Sequence, residues 1–236
     1  MHRFYAPDIA SENVLPEDES RHALRVLRLP VGERIEVVDG AGNIYHCTIA
    51  DTDYKHCALN VIDIIPQPPH WGCNISIAIA PTKNIERIEW MLEKCTEIGI
   101  NKVIPLKCRY SERKEIKRER LEKILVSAMK QSLKASVPEL CDIMPIEKFL
   151  TMPISGLKYI AYCGDDVVRK DFAQEYVPGS DVTILIGPEG DFSPQEVDAA
   201  FNNGFVPVSL GNSRLRTETA AVFSCMAIHA INQRLL

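Results

Sequence analysis

The fold is decided by Val182-Thr183-Ile184-Leu185-Ile186-Gly187-Pro188-Glu189-Gly190-Asp191-Phe192, an apolar strand that runs into a glycine-bearing loop. A second loop, residues 209–220, follows another strand some twenty residues later. Glycine lets the backbone approach a ligand where a Cβ would obstruct it. Two such loops after two strands can build one pocket walled by backbone, which suits a nucleotide-like ligand. The first loop alone has the pattern of an ordinary strand-to-helix turn equally well.

The second loop places two cations in front of a helix. Arg214 and Arg216 stand just before a helix whose N-terminus itself attracts anionic groups. A capping threonine (Thr217 or Thr219), or an ion pair of the arginines with Glu218, would explain the same residues without a ligand. The chain contains neither the G-x-G-x-x-G fingerprint nor a G-x-x-x-x-G-K-[ST] P-loop. The sequence therefore supports neither a dinucleotide fold nor a P-loop enzyme.

Length and composition indicate a globular chain. Its 236 residues suit one or two compact domains, and 46% apolar with 25% charged residues is ordinary for a soluble protein with a real core. No apolar run approaches the ~18–20 residues of a membrane span. The N-terminus lacks the apolar region of a signal peptide. We expect a cytoplasmic protein.

The eight cysteines predict free thiols rather than disulfides or a metal site. No two are spaced C-x-x-C, and a disulfide framework is not expected in a chain of this length without a secretory signal. The pairs His46-Cys47 and His56-Cys57 suggest zinc, but both fall in strand-like runs, and zinc motifs usually bring tighter paired spacing. We expect buried thiols and no metal.

Charge is distributed unevenly along the chain. The net charge of −5 argues weakly against nucleic acid, but residues 81–134 carry fourteen Lys/Arg against eight Asp/Glu, between two acidic segments. Local fields matter more than the total. The run from residue 107 to 123 is dense in Lys and Arg interleaved with Glu. It is either a solvated face with i,i+4 ion pairs or an RNA contact.

The first 70 residues have the pattern of a small β-rich domain. Strands are predicted over residues 33–38, 44–50 and 57–65, after one short helix that begins near Pro16. Three prolines within residues 66–69 cannot continue a strand ladder, so the domain boundary is placed there. The second domain then comprises residues 71–236.

Past this linker the pattern becomes α/β. The predicted strands cover residues 73–80, 103–106, 159–163, 182–186 and 205–210, and the predicted helices cover 85–98, 117–134 and 217–234. A further short helix starts behind Ser193, with Pro194 at its first position and Glu196 at its third. This alternation implies a mainly parallel sheet. The last helix is apolar nearly all round, so we expect it to be buried, for which a subunit interface is one place.

Arg21, Arg25 and Arg28 are the candidate RNA-binding residues of the first domain. Their i, i+4, i+7 spacing predicts that they share one helix face. A guanidinium stripe suits phosphate binding, although a solvated helix surface has the same pattern.

Four segments together resemble the RsmE family, bacterial methyltransferases that act on the ring N3 of a uridine in 16S rRNA. The segments are Arg21-His22-Ala23-Leu24-Arg25-Val26-Leu27-Arg28 with Gly32, Lys83 with Glu93-Lys94-Cys95-Thr96-Glu97-Ile98-Gly99, Gly187-Pro188-Glu189-Gly190, and Leu215-Arg216-Thr217-Glu218-Thr219-Ala220. They occur in the family's order and span nearly the whole chain. The chain departs from the family pattern at Asp191, where a second Gly is common, and at Lys130, Lys134, Ser213 and Arg214.

The resemblance implies an α/β fold with an N-terminal PUA-like β-barrel, the RNA-binding domain, and a C-terminal SPOUT methyltransferase domain that ends in a trefoil knot. It implies S-adenosyl-L-methionine as cofactor, bound in the knot mostly through backbone. It implies a homodimer and, as partner, the 16S rRNA of the small ribosomal subunit. The cofactor-binding residues carried over from the family are Leu185, Gly187, Pro188, Glu189, Gly190, Ser209, Leu210, Gly211, Leu215, Arg216 and Thr217.

The implied reaction transfers a methyl group from a sulfonium to a uracil nitrogen. The sulfonium is already activated, so the protein mainly supplies alignment, and N3 must lose its proton before it attacks. We expect Arg216 to stabilise anionic charge on the uracil or to position phosphate, and Glu189 to act as base or to orient the cofactor. Two alternatives remain. One is a non-catalytic RNA-binding protein that kept the fold. The other is a related knotted methyltransferase of ribose hydroxyls or tRNA, against which the 21–28 segment argues.

Overall fold

The computed structural model describes residues 1–164 and 167–233. These residues form two compact units. The first unit contains Met1–His70 together with Val126–Val137, and the second contains Trp71–Leu125 and the described residues from Pro138 onward. Within the described ranges, no helix is both long and apolar enough to cross a membrane.

The first unit is built on a four-stranded sheet. In sheet order the strands are β1 (Arg3–Tyr5), β2 (Arg34–Val38), β3 (Asn43–Ile49) and β4 (Leu59–Pro66). The three predicted strands are β2, β3 and β4, which form an antiparallel meander. β1 pairs parallel with β2 and was not predicted, because three residues are too few to show a period. The last pair of the β3–β4 ladder joins Pro66 to Asn43, so pairing stops where the proline run begins.

Short helical segments pack on this sheet. They are α1 (Ile9–Glu12), α2 (Glu17–Arg21) and a π-helical turn, His22–Val26. Pro16 stands in front of α2, whose first turn is acidic, as predicted. Ile9 and Leu24 join Ile35 and Val37 in one buried core.

The predicted arginine stripe is wrong in its geometry. α2 ends at Arg21, the next turn is π-helical, and Arg28 lies beyond it at φ +56°. A π-turn closes i→i+5 hydrogen bonds, so the i, i+4, i+7 spacing no longer aligns the three side chains. All three are exposed. Arg21 pairs with Glu17, and the Arg25 guanidinium lies 4.5 Å from the centre of the Tyr54 ring.

Val126–Val137 supplies part of the first unit's core. Met129 and Ala135 are fully or nearly fully buried against Val38 and Ile44. The backbone is joined as well, since Gly42 N donates to the Ala135 carbonyl at 3.1 Å. The side chain of Lys130 in this segment pairs with Glu19. A small side of the first unit is therefore closed by residues that are distant in sequence.

The second unit is built on a parallel sheet. Its strands are β5 (Ile75–Ile79), β6 (Lys102–Lys107), β7 (Glu139–Leu140), β8 (Met144–Pro145), β9 (Leu157–Ala161), β10 (Lys170–Asp171), β11 (Val182–Ile186) and β12 (Val206–Ser209). The order across the sheet is β10-β12-β9-β11-β5-β6-β7, and β8 pairs with β6 off this path. Every pairing between these strands is parallel, which confirms the predicted sheet type.

The remaining helices are α3 (Ile85–Ile98), α4 (Arg118–Gln131), α5 (Ile146–Leu150), α6 (Phe172–Glu175), α7 (Pro194–Asn202) and α8 (Thr217–Asn232). α3 has its predicted bounds and ends at Gly99, whose φ of +133° favours glycine. α7 has the predicted capping box of Ser193 and Glu196. The elements not predicted in this unit are β7, β8, β10, α5 and α6, which are two to five residues long.

The last helix is not buried all round within this chain. Ala221 and Cys225 of α8 are fully buried, whereas Phe223 and Met226 are 42% and 52% exposed. α8 therefore has an apolar side that this chain leaves uncovered. α8 ends at Asn232, and the predicted end at Arg234 lies outside the described residues.

Candidate functional site

A pocket of about 920 Å³ lies at the carboxyl ends of three neighbouring strands of the second unit. Ala161 at the end of β9, Ile186 at the end of β11 and Ser209 at the end of β12 all line it. Because β9 lies between β11 and β12, the loops that follow the three strands converge. Open α/β sheets bind their ligands at this edge, and the volume suits a nucleotide-sized molecule.

The loop after β11 is tightly packed at its two glycines. A Cβ on Gly187 would lie 3.1 Å from the Phe192 ring, and a Cβ on Gly190 would lie 3.2 Å from the Cβ of Tyr110. Both distances are tighter than ordinary packing. Residues 188–191 form a turn, since Asp191 N donates to the Pro188 carbonyl at 2.9 Å. The loop is thus a close-packed wall of the pocket.

Asp191, where the family pattern often has glycine, adopts the left-handed conformation that glycine favours, with φ +63°. Its carboxylate accepts from Cys163 N at 2.9 Å and from Phe192 N at 2.8 Å. Asp is one of the few residues that tolerate this conformation, because its short polar side chain bonds to nearby backbone. The Asp191 side chain therefore ties the loop after β9 to the loop after β11.

The loop after β12 is held by its own hydroxyls. The Ser209 hydroxyl donates to the Gly211 carbonyl at 3.0 Å and accepts from Gly211 N at 3.3 Å, and Gly211 has φ +106°. Thr217 is the first residue of α8 and donates its hydroxyl to the Gly187 carbonyl at 3.1 Å. It therefore joins the two loops instead of capping the helix.

Arg216 in the loop after β12 is not part of an ion-pair cluster. Glu218 pairs with Arg87 at 3.7 Å. In the part of the chain that the structure describes, no carboxylate lies within ion-pair distance of Arg216, which is exposed at the pocket. Its guanidinium is available to an anionic ligand.

Glu189 links the pocket to the loop before α3. Its Oε1 accepts from Lys83 N at 3.0 Å, and the Lys83 ammonium pairs with Glu112 at 2.8 Å. The hydrogen bond fixes the position of the Glu189 carboxylate at the rim of the pocket.

The structure brings nearly all predicted cofactor residues into this one pocket. Those that line it are Gly187, Pro188, Glu189, Gly190, Ser209, Leu210, Gly211, Leu215, Arg216 and Thr217. Leu185 is fully buried in the core beside Ile160 and is not among the lining residues. Arg21, Arg25 and Arg28 belong to the first unit.

Several lining residues were not predicted, among them Arg87, Tyr162, Cys163 and Arg169. Three of these follow β9, which ends at Ala161, whereas the predicted strand over 159–163 included Tyr162 and Cys163. The rule that ligands bind at the carboxyl ends of parallel strands makes residues after a strand candidates, but it does not say which strands are neighbours. Arg87 lies in the first turn of α3 and carries no comparable signal.

The cysteines form no disulfide. Of the eight, Cys141 is half-buried and Cys163 is exposed in the pocket. Partial desolvation in the pocket and the Asp191 carboxylate raise the pKa of the Cys163 thiol, against the opposite effect of Arg214 and Arg169. Among the described residues, no three His, Cys, Asp or Glu side chains are grouped as a metal site would require.

Two family models match this chain. The model of an RNA methyltransferase domain matches residues 69–229, and that of an RNA methyltransferase PUA domain matches residues 15–62. Together they cover both units in the order that the resemblance implied.

Individual relatives agree with the family models. Ribosomal RNA small subunit methyltransferase E of Rickettsia conorii is 26% identical over 226 residues, covering 93% of this chain and 91% of that protein. A probable rRNA-methyltransferase from Porphyromonas gingivalis is 47% identical, with a TM-score of 0.94 and full coverage of both chains. A ribosomal RNA small subunit methyltransferase E from Neisseria gonorrhoeae, solved bound to S-adenosyl methionine, is 27% identical, with a TM-score of 0.84 and 98% coverage of both chains. This chain belongs to the RNA methyltransferase family of the RsmE type, in which a PUA domain precedes the methyltransferase domain.

Proposed function

We propose that the protein transfers a methyl group from S-adenosylmethionine to N3 of a specific uridine in 16S rRNA of the small ribosomal subunit. The observation that carries the proposal is the convergence of the 187–191 and 209–217 loops on one pocket, which contains nearly all residues that the family uses for its cofactor. The relative from Neisseria gonorrhoeae, solved with S-adenosyl methionine, supports the choice of cofactor.

The pocket fits this cofactor. Its volume of about 920 Å³ suits a nucleoside with an amino-acid tail. Gly187 and Gly190 keep the backbone accessible, and Leu210 and Leu215 of the other loop line the same pocket with apolar side chains. The residues that would hold the cofactor are those of the two loops. When bound, the cofactor supplies a methyl group on a positively charged sulfur.

The chain's own residues prepare the uracil. N3 must lose a proton, and the anion that results is stabilised by a fixed cation. Arg216 is our candidate for that cation, since it is exposed at the pocket. Glu189 is the candidate base or orienting group. Its hydrogen bond from Lys83 N favours the orienting role, because the bond holds the turn in which the carboxylate lies.

The domain assignment completes the proposal. Residues 1–70 are the PUA-like RNA-binding domain, in which Arg21, Arg25 and Arg28 contact phosphates, and residues 71–236 are the SPOUT domain with its trefoil knot. The strand order β12-β9-β11-β5 supports the knot, because the chain leaves β11, pairs β12 with the far side of β9, and then returns to pack α8 beside β11 and β5. An experimental structure in which no part of the C-terminal segment is threaded through a loop of the same chain would contradict the knot.

The working unit is a homodimer that acts on ribosomal particles in the cytoplasm. Phe223 and Met226 of α8, with Trp90 of the neighbouring α3, expose an apolar surface that a second copy would cover. Light scattering of the purified protein tests this. A dimer that Met226→Glu dissociates supports the proposal, and a stable monomer at micromolar concentration contradicts it.

The decisive experiment is a calorimetric titration with S-adenosylmethionine, followed by methylation of small-subunit RNA. We expect one saturable site per chain that is lost in Gly190→Trp, because Gly190 lines the pocket and even a Cβ there would lie 3.2 Å from Tyr110, so the larger side chain must displace the loop. Arg216→Ala should reduce methyl transfer far more than it weakens cofactor binding. Unchanged turnover in Arg216→Ala or in Glu189→Gln removes the role assigned to that residue. A folded protein that binds 16S rRNA but binds no cofactor by calorimetry or by a second method would instead be the non-catalytic RNA-binding protein.

A further inference from the structure

A cationic segment borders the pocket on the outside. We call residues 109–117 the basic rim. Its cations are Arg109, Arg113, Lys114 and Lys117, and its two anionic residues are Glu112 and Glu115. The rim also contains Tyr110, whose side chain is 50% exposed. An exposed aromatic ring among cations is the composition of a surface that binds single-stranded nucleic acid.

The basic rim is fastened to the pocket wall. The Cβ of Tyr110 packs on Gly190, as the 3.2 Å distance to a Cβ built there shows. The Arg113 guanidinium donates to the carbonyls of Thr82 at 3.1 Å and Lys83 at 2.6 Å. Lys83 N in turn donates to Glu189 of the pocket loop. The rim, the loop before α3 and the pocket loop therefore form one continuous wall.

The backbone of the basic rim is held from inside the protein. Arg109 N donates to the buried Glu196 carboxylate at 2.7 Å, and Cys108 N donates to the buried Ser111 hydroxyl at 2.9 Å. The side chains of Arg109 and Tyr110 are nevertheless exposed. A fixed backbone that presents a cation and a ring to solvent is prepared for a ligand, because few degrees of freedom are lost on binding.

The cations of the basic rim differ from those of the neighbouring helix. In α4, Arg118 pairs with Glu122 and Asp142, and Arg120 pairs with Glu89. In the rim, Glu112 is paired with Lys83. Within residues 1–164 and 167–233, no carboxylate lies within ion-pair distance of Arg109, Lys114 or Lys117. The rim thus keeps an uncompensated positive charge in a chain whose net charge is −5.

We propose that the basic rim binds the RNA strand next to the methylated nucleotide. Tyr110 stacks on an unpaired flanking base, and Arg109, Lys114 and Lys117 contact its phosphates. An enzyme that modifies a base edge takes the base out of its stack, which leaves a neighbouring base without its partner. Tyr110 offers that base a new stacking surface at the edge of the pocket. This inference rests on the proposed function and names the part of the second unit that contacts its RNA.

The test compares RNA affinity with cofactor affinity in the full-length protein. The variants are Tyr110→Ala, Tyr110→Phe, and a triple variant that combines Arg109→Ala, Lys114→Ala and Lys117→Ala. A double variant with alanine at positions 118 and 120 is the control, because it removes arginines that are already paired. The probes are S-adenosylmethionine, by calorimetry, and an end-labelled 16S rRNA transcript, by fluorescence anisotropy at several salt concentrations.

We expect Tyr110→Ala to weaken RNA binding about five- to 150-fold, the range of one lost stacking contact. Tyr110→Phe should bind RNA as the wild type does, since the ring is retained. The triple variant should reduce the slope of log affinity against log salt by about two, because three phosphate contacts on a single strand contribute roughly 0.7 each. Cofactor affinity should stay unchanged in all variants, and the control should leave both affinities unchanged.

The two proposals fail in different ways. A wild type that binds no cofactor and methylates no RNA overturns the proposed function, whatever the rim variants do. A wild type that methylates RNA while Tyr110→Ala and the triple variant bind the transcript as tightly as the wild type overturns the present inference. Equal loss of cofactor binding in Tyr110→Ala would also overturn it, because Tyr110 would then serve as packing for Gly190.

Discussion

Thr217 and Gly187 are joined by a hydrogen bond, in which the Thr217 hydroxyl donates to the Gly187 carbonyl across 3.1 Å. Both residues are buried, and the bond ties the first turn of α8 to the loop after β11. Thr217→Val keeps the side-chain shape and removes the donor. We expect a loss of about 1–3 kcal/mol in the free energy of unfolding, together with weaker binding of S-adenosylmethionine. Denaturant unfolding and calorimetry measure the two effects, and Thr217→Ser, which keeps the hydroxyl, is the matched control.

Asp191 combines a left-handed backbone with two hydrogen bonds, to Cys163 N and Phe192 N. Asp191→Ala loses both bonds and leaves a Cβ in a conformation that costs about 1–2 kcal/mol. Asp191→Gly loses the bonds but relieves the backbone. We therefore expect the alanine variant to unfold at lower denaturant concentration than the glycine variant. Equal midpoints for the two would show that the backbone conformation at this position carries no cost.

Cys163 is the exposed cysteine of the eight, and it lies in the pocket. A thiol reagent at pH 8 should modify this residue first, although slowly, because partial desolvation in the pocket and Asp191 raise its pKa. Saturating S-adenosylmethionine should protect it, since the cofactor would occupy the same space. Mass spectrometry of digested protein identifies the labelled cysteine, and Cys163→Ser is the control. Fast labelling that the cofactor leaves unchanged would place the ligand elsewhere.

Burial raises the pKa of the Cys47 thiol to about 11, from an ordinary value of 9.0. A group whose pKa is higher in the folded state contributes stability that is present below its unfolded pKa and is lost as pH rises through the folded value. Above pH 9 the unfolded chain releases the proton while the folded chain retains it, so stability should fall between pH 9 and about 11. In Cys47→Ala, measured by denaturant unfolding at several pH values, this fall should be smaller.

The sequence predicts the pocket well because its glycines follow strands whose apolar runs are unbroken. Val182–Ile186 has its predicted bounds, and a Cβ at Gly187 or Gly190 would make an unusually tight contact with Phe192 or Tyr110. The arginine segment was less predictable. Helical periodicity assumes 3.6 residues per turn, whereas a π-helical turn stands between Arg21 and Arg28.

Other features depend on contacts that no local pattern contains. Met129 belongs to the core of the first unit through residues about ninety positions earlier, such as Val38 and Ile44. Cys163 and Arg169 line the pocket because β9 lies between β11 and β12. A strand order of this kind cannot be read from the alternation of strands and helices. The proposed knot is a property of the path of the chain, on which periodicity carries no information.

The first unit is built from two separate segments of the chain, and this has a consequence for synthesis of the protein. Met1–His70 leaves the ribosome first, but the segment that covers Val38 and Ile44 ends at Val137. At about 5–20 residues per second, the nascent chain waits roughly 3–13 s with these side chains uncovered. During that interval the N-terminal sheet exposes apolar surface of the kind that makes a folding chain prone to aggregation. A fragment that stops at the proline linker lacks the segment that buries Val38 and Ile44, so we expect RNA-binding studies of the first unit to need the second stretch of chain as well.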